Sequence, residues 1–231
     1  MELKTLLAKN RSYRRFREDF AMERRTLVEL VASTRSCPSG ANRQPLKYFV
    51  VCTPEENARV FPHLGWAKWL PDWSGPAEGE RPTGYIVILG DRRISHYFDY
   101  DAGIAAFTIL LAATELGLGG CMVGWIDRGG LAATLSIPDH LEILLVVALG
   151  KPKETVVLED IGDADDFAYW RDAAGTLHVP KRPLEELLVG LEPPVLAAVL
   201  DSALSNHAEG TTTGCASSTG ETASGCGCST S

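Results

Sequence analysis

Several features that would place a sequence in a well-defined class are missing from this one. No apolar run reaches the roughly 18 residues of a membrane-spanning helix, so no membrane partner is expected. Lys and Arg, 22 in number, are outnumbered by 30 Asp and Glu, which gives a net charge of -8. Because neutralising a phosphate backbone requires clustered cations, this balance argues against nucleic acid as the main partner. The N-terminus has no long apolar stretch before its basic cluster, so it is not a secretory signal and a cytoplasmic protein is expected.

Cysteine is sparse in the body of the chain and concentrated near its end. The six cysteines are Cys37, Cys52 and Cys121 in the body, and Cys215, Cys226 and Cys228 near the end. A secreted disulfide framework is a short, Cys-dense chain, so this distribution argues against one.

Lys and Arg are absent after residue 191, and this shift in composition divides the chain. Residues 1–191 are predicted to form the folded domain. Residues 192–209 carry apolar residues at helical spacing behind a pair of prolines, which predicts a short helical linker. Residues 210–231 are almost entirely Gly, Thr, Ser, Ala and Cys, too poor in apolar side chains to offset the entropy of ordering, so a disordered tail is expected.

Helices and strands alternate along residues 1–191. Leucines at helical spacing predict two N-terminal helices, and Asp19 is a candidate cap for the second. Apolar runs bounded by turn residues predict strands at residues 47–53, 85–91, 121–126 and 142–150. The pattern is that of an α+β protein with a mixed sheet.

Three further segments shape this α+β pattern. Residues 103–120 predict a helix that is apolar nearly all round until Gly117 ends it, so it must be buried in a core or between subunits. Asp127 is placed to cap a short helix at 128–135. Residues 62–84, rich in Trp, Pro and Gly, form a long irregular connection of the kind that often acts as a lid or binding loop.

The segment Arg11-Ser12-Tyr13-Arg14-Arg15-Phe16 gathers guanidinium groups and a hydroxyl beside a predicted helix end. Arginine offers forked, permanently charged donors and the hydroxyl adds another, which together suit an anion such as phosphate. The alternative is a solvated basic face, which is what runs of charge usually form.

The second segment of interest, residues 37–45, is a tight turn directly before a predicted strand. The side chains of Asn42 and Gln44 can each donate and accept hydrogen bonds, which suits the edge of a heterocycle such as a flavin pyrimidine. The alternative is a structural turn whose amides cap backbone groups.

Glycines are frequent in residues 117–125, where they allow the backbone to approach a flat ligand. They do not form a dinucleotide-binding fingerprint, because Met122 occupies the third glycine position and the glycines follow a helix instead of a strand. A dehydrogenase with tightly bound NAD is therefore disfavoured.

Taken in order and spacing, five stretches of this sequence resemble the FMN-dependent nitroreductase family: RSYRRF, PSGANRQPLKYFVV, YDAGIAA, GLGGCMVGW and IPDHLEILLVVALGKPKE. The resemblance covers about residues 1–190. It implies an α+β fold in which a nitroreductase-like mixed sheet is flanked by helices, and a homodimer with FMN at its interface. The apolar helix at 103–120 would then contribute to an extensive apolar dimer face.

The resemblance also assigns site residues, motif by motif. The phosphate-binding motif falls on Arg11, Ser12 and Arg14. The flavin-contacting loop falls on Pro38, Ser39, Asn42 and Gln44. The backbone lying over the isoalloxazine falls on Val123 and Gly124, and Lys181 and Arg182 are expected to complete the phosphate site. The family often has Trp where this chain has Leu46, which leaves the identity of the acceptor open.

The chemistry implied by this resemblance is carried by the cofactor. NADH or NADPH would deliver a hydride to FMN, and a small organic electron acceptor would then bind in the same place, in ping-pong turnover. No dedicated acid or base is required, so no catalytic residue and no metal ligand is nominated. Cys121 is interpreted as a small buried residue instead of a reactive thiol. Four residues of the long connection either line the pocket mouth or simply pack the loop: His63, Trp66, Trp69 and Trp73.

The tail, residues 210–231, supports alternative functions. It resembles the core of ribosomally made peptides whose Cys, Ser and Thr are cyclised to azolines, which flavin dehydrogenases similar to nitroreductases oxidise. The chain would then be an azoline dehydrogenase fused to a peptide, or a nitroreductase-like leader and non-enzymatic carrier, and peptide-modifying enzymes would act on the tail. Two other interpretations are inert disorder and a loosely spaced metal or redox site formed by His207, Cys215, Cys226 and Cys228.

Overall fold

The computed structural model describes residues 2–161, 166–190 and 195, in a chain that divides into two units, Met1–Lys181 and Arg182–Ser231. The helices of the first unit are α1 (Leu3–Lys9), α2 (Arg24–Ser33), α3 (Pro54–Val60), α4 (Asp99–Glu115) and α5 (Arg128–Leu135). Its strands are β1 (Leu46–Val51), β2 (Gly84–Asp91), β3 (Gly119–Val123), β4 (Leu141–Gly150), β5 (Val156–Asp160), β6 (Trp170–Arg171) and β7 (Leu177–Lys181). The described part of the second unit contains α6 (Leu184–Leu187).

The strands form two sheets. The larger has the order β1-β2-β4-β3 and is antiparallel throughout, with Leu46 opposite Gly90 and Gly119 opposite Gly150. The smaller has the order β5-β7-β6, with β5 parallel and β6 antiparallel to β7. The α+β class predicted from the sequence is confirmed, and the mixed pairing lies in the smaller sheet.

Strand β2 lies at the centre of the core, and all eight of its residues are buried. Tyr85, Val87 and Leu89 pack on one face of the sheet with β3 and α5, whereas Ile86 and Ile88 pack on the other face with α2 and α4. Because both faces are covered, the strand reads as a continuous apolar run instead of an alternating one. The segment YIVILGD therefore gave a clear strand signal.

Helix α4 begins four residues before the predicted segment 103–120, and Gly117 follows its end with a φ of +69°. One face is buried against the sheet, as Ala106, Ile109 and Ala113 show. The opposite face keeps a stripe of apolar side chains exposed: Tyr100, Ile104 and Phe107 are 88%, 36% and 43% exposed. The prediction of burial is thus confirmed for the face in the core, and burial of the other face between subunits stays a prediction.

Three local predictions can be compared directly with the structure. Asp127 caps α5 as expected, because its carboxylate accepts a hydrogen bond from the Gly130 amide at 3.1 Å. Asp19 does not cap α2, which begins at Arg24 behind Glu23 and has no side-chain cap. Strand β3 ends at Val123, so the predicted strand 121–126 is too long by its last three residues.

No helix in the described part of the chain is long and apolar enough to cross a membrane. Apart from Val195, the predicted linker 192–209 and the tail 210–231 lie outside the described residues, as do His207 and the three cysteines of the tail. The three cysteines that are described, Cys37, Cys52 and Cys121, are free thiols.

Candidate functional site

Residues 11–16 run beside β3, the edge strand of the larger sheet. Ser12 forms a parallel bridge with Gly120, and the Tyr13 amide donates to the Gly120 carbonyl at 3.0 Å. Phe16 is fully buried, and its amide donates to the Glu80 carbonyl at 2.9 Å. Since the backbone of this segment is fixed at both ends, the side chains of Ser12 and Arg14 are set along the edge of the sheet.

Glu154 fixes the middle of the same segment. Its carboxylate accepts hydrogen bonds from the backbone amides of Arg14 and Arg15, and from Arg171 Nη2 at 2.8 Å. The Glu154 side chain is fully buried, so Arg171 neutralises a charge that water does not reach, while the two amides donate to the other carboxylate oxygen. The sequence reasoning did not find Glu154, although it ends the KPKE motif of the family-like stretch.

The arginines of the segment have different roles. Arg15 makes a forked pair with Glu80, at 2.5 Å from Nε and 2.6 Å from Nη2, and Lys153 lies 3.0 Å from the same carboxylate. These hydrogen bonds, first that from Arg15, lower the pKa of Glu80 to about 2. The Arg15 guanidinium therefore has a structural role in this ion pair. Arg11 donates from Nη2 to the Leu7 carbonyl, and its buried Nε has no partner among the described residues.

Arg14, Val123 and Gly124 line one cavity of about 170 Å³, here called the Arg14 cavity. Its wall also contains Trp66, Trp125 and Tyr169. A Cβ added to Gly124 would come no closer than 3.9 Å to any other residue, so the backbone there is open to a ligand. The structure thus brings together three of the predicted site residues, one cation and two backbone positions.

The loop 37–45 has an unusual backbone. Three residues other than glycine, Ala41, Asn42 and Gln44, have φ angles of 50°, 53° and 51°. Left-handed residues of this kind cost on the order of 1–3 kcal/mol each and cluster at ligand clamps. The exposed amides of Asn42 and Gln44 are bonded to each other, with Gln44 Nε2 donating to Asn42 Oδ1 at 3.1 Å.

Asp101 holds this loop in place from the first turn of α4. Its carboxylate accepts from the Ser39 hydroxyl and from the Gly40 amide at 3.0 Å, and Ser39 Oγ in turn accepts from the Gln44 amide at 2.9 Å. Asp101 is buried, and a carboxylate near a helix N-terminus is favoured by the helix dipole. The sequence reasoning did not identify Asp101, which lies within the quoted YDAGIAA motif.

Replacing Asp101 by Ala should loosen the loop. The Ser39 hydroxyl and the Gly40 amide would lose their acceptor, which costs about 1–3 kcal/mol of unfolding free energy. Hydrogen exchange of the amides of residues 39–44 should accelerate about tenfold or more, since 1.4 kcal/mol is a factor of ten. Asp99→Ala, which removes an exposed carboxylate from the same helical turn, is the control and should leave these amides protected. Equal exchange in both variants would contradict the role of Asp101.

The loop residues line a second cavity, of about 270 Å³, that shares no lining residue with the Arg14 cavity. Pro38, Ser39 and Gln44 contribute to it together with Tyr48 and Asp101. Each cavity is smaller than the roughly 300 Å³ at the low end for ligand pockets. Within one chain, therefore, the predicted flavin residues form two separate groups.

The two late basic residues, Lys181 and Arg182, end the first unit and begin the second. Lys181 ends β7, where its carbonyl accepts from the Ile161 amide at 2.8 Å, and it is not among the residues that line the Arg14 cavity. Arg182 begins the second unit, where Nη1 lies 2.8 Å from Glu186. Their part in a phosphate site stays a prediction.

Of the four residues considered for the pocket mouth, Trp66 lines the Arg14 cavity. The ring of His63 instead lies 3.1 Å from Asp127 Oδ2 and 3.0 Å from Thr134 Oγ1, where it joins the irregular connection to α5. Trp73 packs under the Arg171 guanidinium, and Trp69 packs edge-on against Phe167. These three residues thus make packing contacts, and their place at a pocket mouth stays a prediction.

Cys121 is buried, as expected for a packing residue. Burial raises the pKa of its thiol to about 12, so the residue is a neutral thiol at physiological pH. Because the thiolate is the nucleophilic form, this environment makes the sulfur unreactive.

Comparison with known proteins identifies relatives in sequence and in fold. Residues 7–151 match the model of the Nitroreductase family. A candidate NADH dehydrogenase/NAD(P)H nitroreductase of Archaeoglobus fulgidus is 29% identical over 148 residues, which is 61% of this chain and 78% of the relative. Two solved structures share the fold. A nitroreductase family protein of Clostridium difficile 630 is 20% identical, with a TM-score of 0.59 and coverage of 83% of this chain and 99% of the other. A Desulfovibrio desulfuricans protein solved in complex with FMN is 22% identical, with a TM-score of 0.58 and coverage of 83% and 98%.

Proposed function

The chain belongs to the nitroreductase family, and on that premise we propose that it is an FMN-dependent oxidoreductase that passes a hydride from NADH or NADPH to a small organic acceptor. The observation that carries the proposal is the Arg14 cavity, where a guanidinium, Val123 and the open backbone of Gly124 line the same space. A cation for a phosphate and an uncovered backbone for a flat ring are the two elements that a flavin nucleotide needs.

The donors present fit FMN. Arg11, with its unpartnered Nε, the exposed hydroxyl of Ser12, and Arg14 offer charged and neutral donors for a phosphate. The exposed amides of Asn42 and Gln44 suit the donor and acceptor edge of the flavin pyrimidine. When bound, FMN supplies the hydride-transfer chemistry. The residues of the chain bind and orient the ring, and one cavity serves the reductant and the acceptor in turn, as ping-pong turnover requires.

We propose that a second copy of the chain completes the site. Pro38, Ser39 and Gln44 of the loop line a different cavity from Arg14, so one chain holds two half-sites. The exposed apolar stripe of α4, formed by Tyr100, Ile104 and Phe107, belongs to the same helix as Asp101, which anchors that loop. Pairing of two such stripes would bury apolar surface, which is typical of obligate dimers. Lys181 and Arg182 are proposed to complete the phosphate site in the dimer.

Flavin identification followed by reduction tests the function. The purified protein should be yellow, release FMN on denaturation, and bleach under anaerobic conditions with NADH or NADPH. A colourless protein that cannot be reconstituted with FMN would overturn the proposal. The free thiols of Cys37, Cys52 and Cys121 are consistent with the reducing cytoplasm, which is the compartment we propose.

Replacing Arg14 by Ala should weaken FMN binding about 10- to 100-fold, because a charge-assisted hydrogen bond is worth about 1.5–3 kcal/mol. Riboflavin, which lacks the phosphate, is the matched ligand, and its affinity should change less than threefold. Arg14→Lys should recover part of the FMN affinity, because it keeps the charge but not the fork. Fluorescence titration of the apoprotein measures both ligands. An equal loss for FMN and riboflavin would show that Arg14 does not bind the phosphate.

A second candidate function rests on the composition of residues 210–231, in which Cys, Ser, Thr and Gly are concentrated. We propose as the alternative that this tail is a peptide substrate carried by the folded domain and cyclised by peptide-modifying enzymes. Each ring formed would remove one water, and each oxidation to an aromatic azole would remove two hydrogens, which pass to a flavin. The intact mass of protein from its native host distinguishes the cases, and an unmodified tail contradicts this alternative.

A further inference from the structure

The smaller sheet lies beyond the family-matched residues 7–151, and a histidine joins its three strands. His178 of β7 lies opposite Trp170 of β6 in the strand register, and their rings stack with centres 4.0 Å apart and planes 11° apart. His178 Nδ1 lies 2.9 Å from Glu159 Oε2 on β5. His178 Nε2 lies 3.4 Å from Oδ2 of Asp172, the residue that follows β6. One side chain therefore contacts residues of every part of this sheet.

Both ring nitrogens of His178 face carboxylates, and this arrangement suits the protonated ring. In the described part of the chain, the charged groups at ion-pairing distance from the ring are Glu159 on β5 and Asp172 after β6. An imidazolium donates from both nitrogens, whereas the neutral ring donates from one and turns the lone pair of the other toward a carboxylate. The face of the Trp170 ring also attracts a cation. Protonation of His178 therefore strengthens all three contacts at once.

The titration of His178 sets the pH range in which these contacts hold. The hydrogen bond to Glu159 raises the pKa of His178 above the ordinary histidine value of about 6.5, against the opposing effect of burial, and Asp172 raises it further. The pKa of Glu159 is lowered, first by the hydrogen bond from Trp170 Nε1, so this carboxylate stays ionised while the ring titrates. Because the pKa of His178 is raised by folding, the stabilisation is fully present below about 6.5 and is lost as the pH rises through that pKa.

The residues on either side of Trp170 both act on Arg14. The Arg14 guanidinium carbon lies 4.8 Å from the centre of the Tyr169 ring, within the range of a cation–π contact. Arg171 pairs at 2.8 Å with one oxygen of the buried Glu154, whose other oxygen accepts from the Arg14 amide. Strand β6 is only two residues long, so few backbone hydrogen bonds hold it in place. The side-chain contacts of Trp170 are therefore a large part of what fixes the strand.

We infer that His178 is a positioning residue for Arg14, and that protonation of His178 strengthens the binding of FMN. The inference rests on the proposed function, since it concerns the affinity of the same site for its cofactor. Protonated His178 holds Trp170, whose two neighbours in turn hold the side chain and the backbone of Arg14. When the proton is lost, β6 is held less firmly and the contact of Arg14 with the phosphate weakens. His178 acts through these neighbours and takes no part in hydride transfer.

Fluorescence titration of the full-length apoprotein with FMN and with riboflavin, from pH 5 to pH 9, tests the inference. Because a phosphate monoester also titrates, with a second pKa of about 6, the quantity compared is the ratio of wild-type to His178→Gln affinity at each pH. For FMN this ratio should fall about 2- to 5-fold as the pH rises, which is the effect expected from weakening one partly exposed charge contact. For riboflavin, which lacks the phosphate, the ratio should stay constant. His140→Gln, a matched change at a histidine in the turn before β4, is the control and should give a constant ratio for both ligands.

A second variant links the change in affinity to His178 itself. The midpoint of the change should coincide with the titration of the His178 ring measured by NMR. Glu159→Gln removes the carboxylate that most favours the protonated ring, so it should move both midpoints to lower pH by the same amount. An FMN midpoint that does not move with the ring would assign the pH dependence to another group and overturn the inference.

The remaining outcomes separate the inference from the function on which it rests. A wild-type protein that binds neither FMN nor riboflavin overturns the proposed function itself. Binding of FMN with a wild-type to His178→Gln ratio that does not change with pH overturns the role of His178. An equal change for FMN and riboflavin overturns its action through Arg14. If circular dichroism shows that His178→Gln does not fold, the shift of the FMN midpoint in Glu159→Gln decides the question alone.

Discussion

Replacing Phe107 by Glu should produce a monomer that binds no FMN. Phe107 lies in the exposed apolar stripe of α4, at helical spacing from Tyr100 and Ile104. If two stripes pair in the dimer, each chain would bury one unpaired carboxylate, which costs several kcal/mol per ion. Association should therefore weaken about a thousandfold or more, because each 1.4 kcal/mol is a factor of ten. The flavin should be lost at the same time, since each half-site holds only part of the proposed set of flavin-binding residues.

Sedimentation velocity and the ratio of bound flavin to protein measure the two effects. Phe107 is 43% exposed in the single chain, so the Glu variant should remain folded, which circular dichroism would show. Phe107→Leu keeps an apolar side chain at the same position and should remain dimeric and yellow. A Glu variant that stays dimeric would place the interface elsewhere, and a monomer that retains FMN would show that one chain suffices for the site.

The division of the predicted residues between two cavities also explains which parts of the site the sequence could predict. Arg14, Val123 and Gly124 were assigned by local motifs, and the structure places them on one cavity. The loop 37–45 was recognised in the same way, but nothing in its residues shows that it lies in a different cavity of the same chain. The spacing of the motifs indicates which residues bind one ligand together. It does not indicate whether one chain or two chains supply them.

The residues that the sequence reasoning missed share a physical cause. Asp101, in the first turn of α4, and Glu154, in the connection between β4 and β5, are single carboxylates whose partners lie far away along the chain. Asp101 is 62 positions from Ser39, and Glu154 is 140 positions from Arg14. Elements such as β2 and α4 are predictable because their apolar runs and the turn residues that bound these runs are neighbours along the chain. A buried carboxylate that anchors a distant loop leaves no periodic signal in the sequence. The strand pairing of the smaller, mixed sheet leaves no such signal either.

Replacing Glu154 by Ala should cause the largest loss of stability among the changes considered for the folded chain. Three donors would be left buried without an acceptor: the amides of Arg14 and Arg15 and the guanidinium of Arg171. Removing one partner of a buried pair costs about 3–5 kcal/mol, which is a large share of the 5–15 kcal/mol typical of a domain. Because bound FMN would add to the measured stability, urea unfolding should be measured on the apoprotein.

The surface variant Glu142→Ala is the control for Glu154→Ala, because Glu142 is an exposed carboxylate on β4 and its removal should change the unfolding free energy by no more than about 0.5 kcal/mol. Glu154→Gln, which keeps one oxygen acceptor for the two amides but loses the charge opposite Arg171, should fall between the two. If Glu154→Ala is too unstable to purify, the Gln variant alone provides the test. In the Gln variant the protein should be less stable and Arg14 should be held less firmly. Because Arg14 is proposed to bind the phosphate, the affinity for FMN should fall more than the affinity for riboflavin. A Gln variant as stable as the wild type would mean that the charge of Glu154 is not what holds residues 11–16 beside β3.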